Sequence, residues 1–135
     1  RIEIGLRSDR NSTEDTVGMR FNGFTTDTDF WRYDHVYSGT HAAAVVNGPR
    51  VAIICGDDAA AGYTSGGVVS ILDHESSATG KYWICHHVSG SSSHTLHGHH
   101  ISGYWKSSDA ITSIQFYPQF GTDFVLGYIR VYGVK

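Results

Sequence analysis

Apolar residues recur at every second position along much of the chain, and this feature restricts the fold more than any other. In RIEIGLR, Ile2, Ile4 and Leu6 fall on one side of an extended backbone and Glu3 and Arg7 on the other, the repeat of a half-buried strand. The alternation returns in VGMRFNG (Val17, Met19, Phe21), RVAIIC, GGVVSILDH, KYWICHHV and two segments of the tail, ITSIQFYP and FVLGYIRVYGVK. No long segment carries an apolar stripe at helical spacing, so the chain reads as all-β.

Turn chemistry agrees. Asn22-Gly23, Asn47-Gly48 and the ATGK at 78–81 are places where the backbone takes positive φ cheaply, so strands should reverse there. Long polar connections are expected at Ser8–Thr16, Thr25–Asp29, Gly56–Gly67 and Ser89–His100. About seven or eight short strands joined by long loops point to a two-sheet antiparallel β-sandwich of jelly-roll type. Both tail strands are expected in mid-sheet, with Gly127 at a bulge or close approach and Gly133 packed against a neighbouring backbone.

At 135 residues the chain fits one domain spanning 1–135. With 40% hydrophobic and 17% charged residues the composition is globular rather than disordered. Membrane insertion is not expected, because the most apolar stretch, HAAAVVNGPRVAIIC, is broken by Asn47, Pro49 and Arg50. Ten Lys and Arg stand against thirteen Asp and Glu, and the arginines are scattered at 1, 7, 10, 20, 32, 50 and 130. Nucleic-acid binding, which needs clustered cations, is therefore not expected. Cys55 and Cys85 sit in expected strands; a disulfide requires those strands to be neighbours, and two buried free thiols are the favoured state. The alternating run is already under way at Arg1, with no initiator Met. The expectation is that this is the C-terminal part of a longer product.

Four stretches, taken in order, carry a resemblance. The tail reads Ala-Ile-Thr-Ser-Ile, a polar strand, a Gly-containing turn, then an alternating strand ending Tyr-Gly-Val-Lys. LRSDRNSTEDTVGMRFNG (6–23) is a strand pair whose polar loop precedes an Arg-Phe-Asn-Gly turn. VSILDHESSATGKYWICHHVSG (69–90) and ISGYWKSSDAITSI (101–114) complete the set. Together they resemble a jelly-roll module recurrent in virion proteins of tailed bacteriophages. The sequence departs from that pattern at 24–33 (FTTDTDFWRY), in CGDDAAAGYTSGG and in the His-rich stretch 94–100, all expected loops, where specificity normally resides.

The resemblance implies a non-enzymatic virion module, on a tail fibre, spike tip or capsid surface, assembling as a homotrimer and anchored to other virion proteins. Its loops would bind a host-surface glycan or protein receptor. The alternative is an architectural part, a capsid decoration or fibre knob, that works mainly by self-association. A cellular β-sandwich lectin or a depolymerase fragment stands third.

Two constellations carry candidate chemistry. In DFWRYDHVY, flat aromatic faces that can pack on a sugar ring alternate with side chains that bond hydroxyls. Trp31, Arg32, Tyr33, Asp34 and His35, with Tyr104 and Trp105, are the candidate ligand-binding set; the plainer reading is a strand with one face in the core. In HTLHGHH, a polar, partly exposed loop is the plainer reading. The alternative is a metal held by His97 and His99, which on an extended strand lie on one side about 6–7 Å apart, with three chains supplying ligands around an axis. No other cofactor is expected.

His86 and His87 must face opposite ways, which leaves Cys85 with His87 as an allowed ligand pair. The bland reading is one imidazole inward and hydrogen-bonded and the other outward. Asp57 and Asp58, adjacent on an extended chain, point apart and make a poor acid/base pair. SGSSSH lacks any strand-turn-helix element to hold a nucleophile. No catalytic residue is expected.

Overall fold

The fold was taken from a computed structural model that describes residues 1–25, 30–38, 40–48, 50–59, 65–90 and 96–133; of residues 31, 33–38, 40–47 and 96 it describes the backbone alone. The described chain is all-β, without a helix. Its strands are β1 (Ile2–Ser8), β2 (Glu14–Phe21), β3 (Phe30–Ser38), β4 (Thr40–Asn47), β5 (Arg50–Cys55), β6 (Gly66–Leu72), β7 (Lys81–Gly90), β8 (Leu96–Trp105), β9 (Ile114–Pro118) and β10 (Phe124–Val131).

All ten belong to one hydrogen-bonded sheet in the order β4-β3-β8-β7-β6-β1-β5-β2-β9, with β10 paired to β1. Every pairing is antiparallel except a single parallel bridge, Arg7 to Cys55, between β1 and β5. One hydrogen-bonded sheet thus carries every described strand, and side chains of strands far apart in its order still meet. Phe21 of β2 lies far from β7 and β8 in strand order. Its ring nevertheless packs 6.1 Å from Trp83 and 5.3 Å from Trp105, centroid to centroid. Phe30 of β3 closes the cluster, stacked on Trp105 at 6.1 Å.

Around these four rings the core gathers the alternating positions of the sequence: Ile2, Ile4, Val17, Met19, Val51, Ile54, Val69, Cys85 and Ile101 are all buried. Truncating a buried aromatic of this kind to alanine typically costs about 3–5 kcal/mol. Several rings lie over strand glycines. A Cβ on Gly103 would stand 2.0 Å from the Trp83 ring, and one on Gly18 would stand 2.3 Å from Tyr117. Glycine is required at those points because the cross-strand ring fills the space a side chain would take.

The Asn22-Gly23 turn forms as expected. Both residues have positive φ (52° and 72°), and the Phe24 amide donates to the Phe21 carbonyl at 2.9 Å. Asn22 also ties down the chain before β9. Its Oδ1 accepts from the Thr112 amide (2.8 Å), the Thr112 hydroxyl (3.1 Å) and the Ser113 amide (3.1 Å), and its Nδ2 donates to the Ala110 carbonyl (2.8 Å). The Arg-Phe-Asn-Gly and Ala-Ile-Thr-Ser-Ile stretches that carry the resemblance are therefore bonded to each other.

The tail departs from expectation. Gly127 makes the close approach, with φ of 138° and a virtual Cβ 2.0 Å from the Gly5 carbonyl oxygen, near a register shift between Arg7 and Ser8. Gly133 does not, because nothing lies within 4 Å of its virtual Cβ. Nor is β10 in mid-sheet. Among the described residues it pairs only with β1, and its side chains after Phe124 are exposed on both faces. The expected loop at Ser89–His100 is strand at both of its ends, since β7 runs to Gly90 and β8 begins at Leu96. His94 and the serine run at 91–93 lie outside the described residues, as do residues 26–29 of the expected loop before β3.

Candidate functional site

The β7–β8 ladder brings the sequence candidates together and then sorts them by face. Its register pairs Tyr82 with Tyr104, Cys85 with Ile101, His86 with His100, and His87 with His99. Directly paired residues of an antiparallel ladder share a face and successive residues alternate, so each face receives one set.

The inner face carries Lys81, Trp83, Cys85, His87 and Ser89 of β7, all buried, with His99, Ile101 and Trp105 of β8. This corrects one candidate: Trp105, expected beside Tyr104 at a ligand surface, is fully buried against Phe21 and Phe30. The physical reason is parity, for neighbours on a strand cannot both face out. Arg32 is half-buried and donates from Nη1 to the Gly48 carbonyl at 3.0 Å. The register sets Trp31 opposite Tyr104, Tyr33 opposite Ser102, Asp34 opposite Ile101 and His35 opposite His100. The side chains of Trp31, Tyr33, Asp34 and His35 lie outside the described residues.

His97 and His99 stand on one side as expected, their rings nearly parallel with centroids 6.2 Å apart. That side is the interior one. His99 is 4% exposed, and His97 Nε2 lies 3.4 Å from the Glu14 carboxylate of β2. His99 therefore faces the fold's own inner side, and His97 is half-buried beside Glu14. His87 joins the row with its ring 5.9 Å from that of His99 and packs over Gly67 of β6. Both His87 ring nitrogens are buried without a hydrogen-bond partner among the described residues. Burial, and secondarily the charge of His99, pulls its pKa down to about 3, so this imidazole is neutral at ordinary pH. The inward, hydrogen-bonded imidazole of the bland reading is inward only.

The cysteines are free and buried, as favoured. Burial pushes the Cys85 thiol up to about 12, and it raises Cys55 also, whose Sγ lies 3.1 Å from the Gly90 carbonyl oxygen. Neither is an activated nucleophile. Asp57 and Asp58 are exposed, with Asp57 3.7 Å from Arg7. Among the described residues no group of three or more His, Cys, Asp or Glu side chains converges as a metal site.

The outer face holds what the sequence reading missed. Tyr82, 50% exposed, lies against Tyr104 with centroids 4.8 Å apart and planes inclined at 37°. Tyr104 is itself laid over Gly80, and Leu72 of β6, paired with Tyr82, is exposed beside them. Further along the same face His86 and His100 meet, Nδ1 to Nδ1, at 3.2 Å. The signal for this second pair was in the sequence. Two His-His dipeptides, 86–87 and 99–100, brought together antiparallel must form one imidazole pair on each face. Compared with models of known families, with curated proteins and with solved structures, the chain matches none.

Proposed function

We propose that this chain is a non-enzymatic, self-associating β module of a tailed-phage particle, a curled jelly-roll sandwich that joins copies of itself, three by the sequence resemblance, and displays its surface to the host. One observation carries the self-association: β10 is apolar and wet on both faces. Val125, Leu126, Tyr128, Ile129 and Val131 are each between 40% and 71% exposed, and β10 has a strand neighbour on one edge only among the described residues. Beside its end lies a cleft of about 560 Å³ lined by Ile2, Ile71, Leu72, Ile111 and Val131. A bare, apolar edge strand invites pairing with another chain, and its natural cover is the same strand region of a second copy. Sedimentation equilibrium of residues 1–135 tests this. Oligomers that dissociate in a Leu126→Lys, Val131→Lys double variant support it, and a wild-type chain that stays monomeric at high concentration refutes it.

A second reading rests on Tyr82 and Tyr104. An exposed phenol ring beside a half-exposed one makes a platform on which the apolar face of a pyranose packs, which favours a glycan-binding role over a purely architectural one. Binding on a glycan array that is lost on Tyr82→Ala supports attachment; a blank array beside a stable oligomer supports architecture.

A further inference from the structure

We infer that His86 and His100 form a surface chelate for a divalent transition-metal ion. The inference is independent of the proposed virion role and distinct from the inward His97 and His99. The two Nδ1 atoms stand 3.2 Å apart. An ion bound to both at the usual imidazole distance of about 2.0–2.1 Å would see them at an angle of roughly 100°, close to what four-coordinate zinc requires. The ring centroids are 4.5 Å apart with planes at 68°. That is closer than two rings meeting nitrogen to nitrogen head-on would allow, so the rings are inclined to the line that joins the two nitrogens.

The pair is also held in place before any ion arrives. β7 and β8 are paired along their length and flanked by β6 and β3, with Val68 opposite His86 and the backbone of His35 opposite His100. Little ordering remains to oppose binding, which is the advantage of a site built on strands rather than loops. An ion there is reachable from solvent, since His86 is exposed and His100 half-exposed. Two imidazole nitrogens, with no carboxylate converging on them among the described residues, select Zn²⁺, Ni²⁺ or Cu²⁺ over Mg²⁺ or Ca²⁺.

Calorimetric titration of the full 135-residue chain with ZnCl₂ and NiCl₂, and with CaCl₂ as control, tests the site. Wild type should take up the transition ions and not calcium. His86→Gln and His100→Gln, both surface changes, should each weaken uptake roughly tenfold or more, the scale for losing even an outer-sphere partner of a metal. Their melting temperatures without metal should match wild type. An imidazole ¹⁵N spectrum of the unsubstituted protein gives an answer that needs no variant: zinc should move the Nδ1 signals of His86 and His100. No uptake by wild type, equal uptake by both variants, or shifts confined to His87, His97 and His99 would each overturn the assignment.

Discussion

Replacing Asn22 separates two contributions that act at one residue. Its Oδ1 accepts three hydrogen bonds and its Nδ2 donates one, all to residues 110–113, while its backbone sits at φ of 52°. Thr112 and Ser113 are exposed, so each bond belongs at the lower end of the usual net range, about 0.5–0.75 kcal/mol, and the set is worth about 2–3 kcal/mol. Left-handed backbone adds about 1 kcal/mol for a residue with a Cβ and no local side-chain bond. Asn22→Gly relieves the backbone and loses the bonds, so about 2–3 kcal/mol is expected. Asn22→Ala loses both, about 3–4 kcal/mol, and Asn22→Asp keeps the acceptor and should cost about 1 kcal/mol or less. Urea unfolding followed by the fluorescence of the buried Trp83 and Trp105 measures all three. The reasoning fails if the glycine variant is as stable as wild type, or if alanine and glycine cost the same.

Gly103→Ala forces a methyl to within 2.0 Å of the fully buried Trp83 ring. A loss of about 1–3 kcal/mol is expected, while Gly133→Ala, with nothing within 4 Å, should leave the urea midpoint unchanged. His87 titrates near 3 in the folded state against a reference of 6.5, so between those values the unfolded chain binds a proton that the folded chain refuses. Its contribution to stability is whole above pH 6.5 and falls as the solution is acidified, by up to about 1.4 kcal/mol per pH unit. Melting from pH 7 to pH 5 should fall less steeply in His87→Leu; identical slopes would show that His87 does not set the acid sensitivity.

Strands were legible in the sequence where burial on one side imposes alternation, most cleanly in β7; β2 and β5 were read from the same repeat although they are buried on both faces. β8 was not. Its first half, LHGHH, buries imidazoles and glycine, which carry no apolar signal, so a continuous strand reads as a polar loop. β4 was missed as a strand because a run of alanines has no period. In β10 a visible cue pointed away from mid-sheet: Val125 next to Leu126 and Tyr128 next to Ile129 make both faces apolar. Such a strand satisfies neither face within its own chain, and its exposure there is the ground for expecting further copies.

The candidate site follows the same rule of parity. Tyr104 and Trp105 are adjacent on a strand, so one must enter the core, and the larger indole does so. Asn22 shows why the stretches that carry the resemblance say more about scaffold than about ligand. They are spaced almost ninety residues apart in the chain, yet each completes the other's hydrogen bonds, so their joint presence is what a stable turn requires, whatever the outer face binds. Recognition has to be sought where no such mutual constraint exists, on the wet side of β7 and β8. There Tyr82 and His86 are exposed and Tyr104 and His100 half-exposed, on the face turned away from the core.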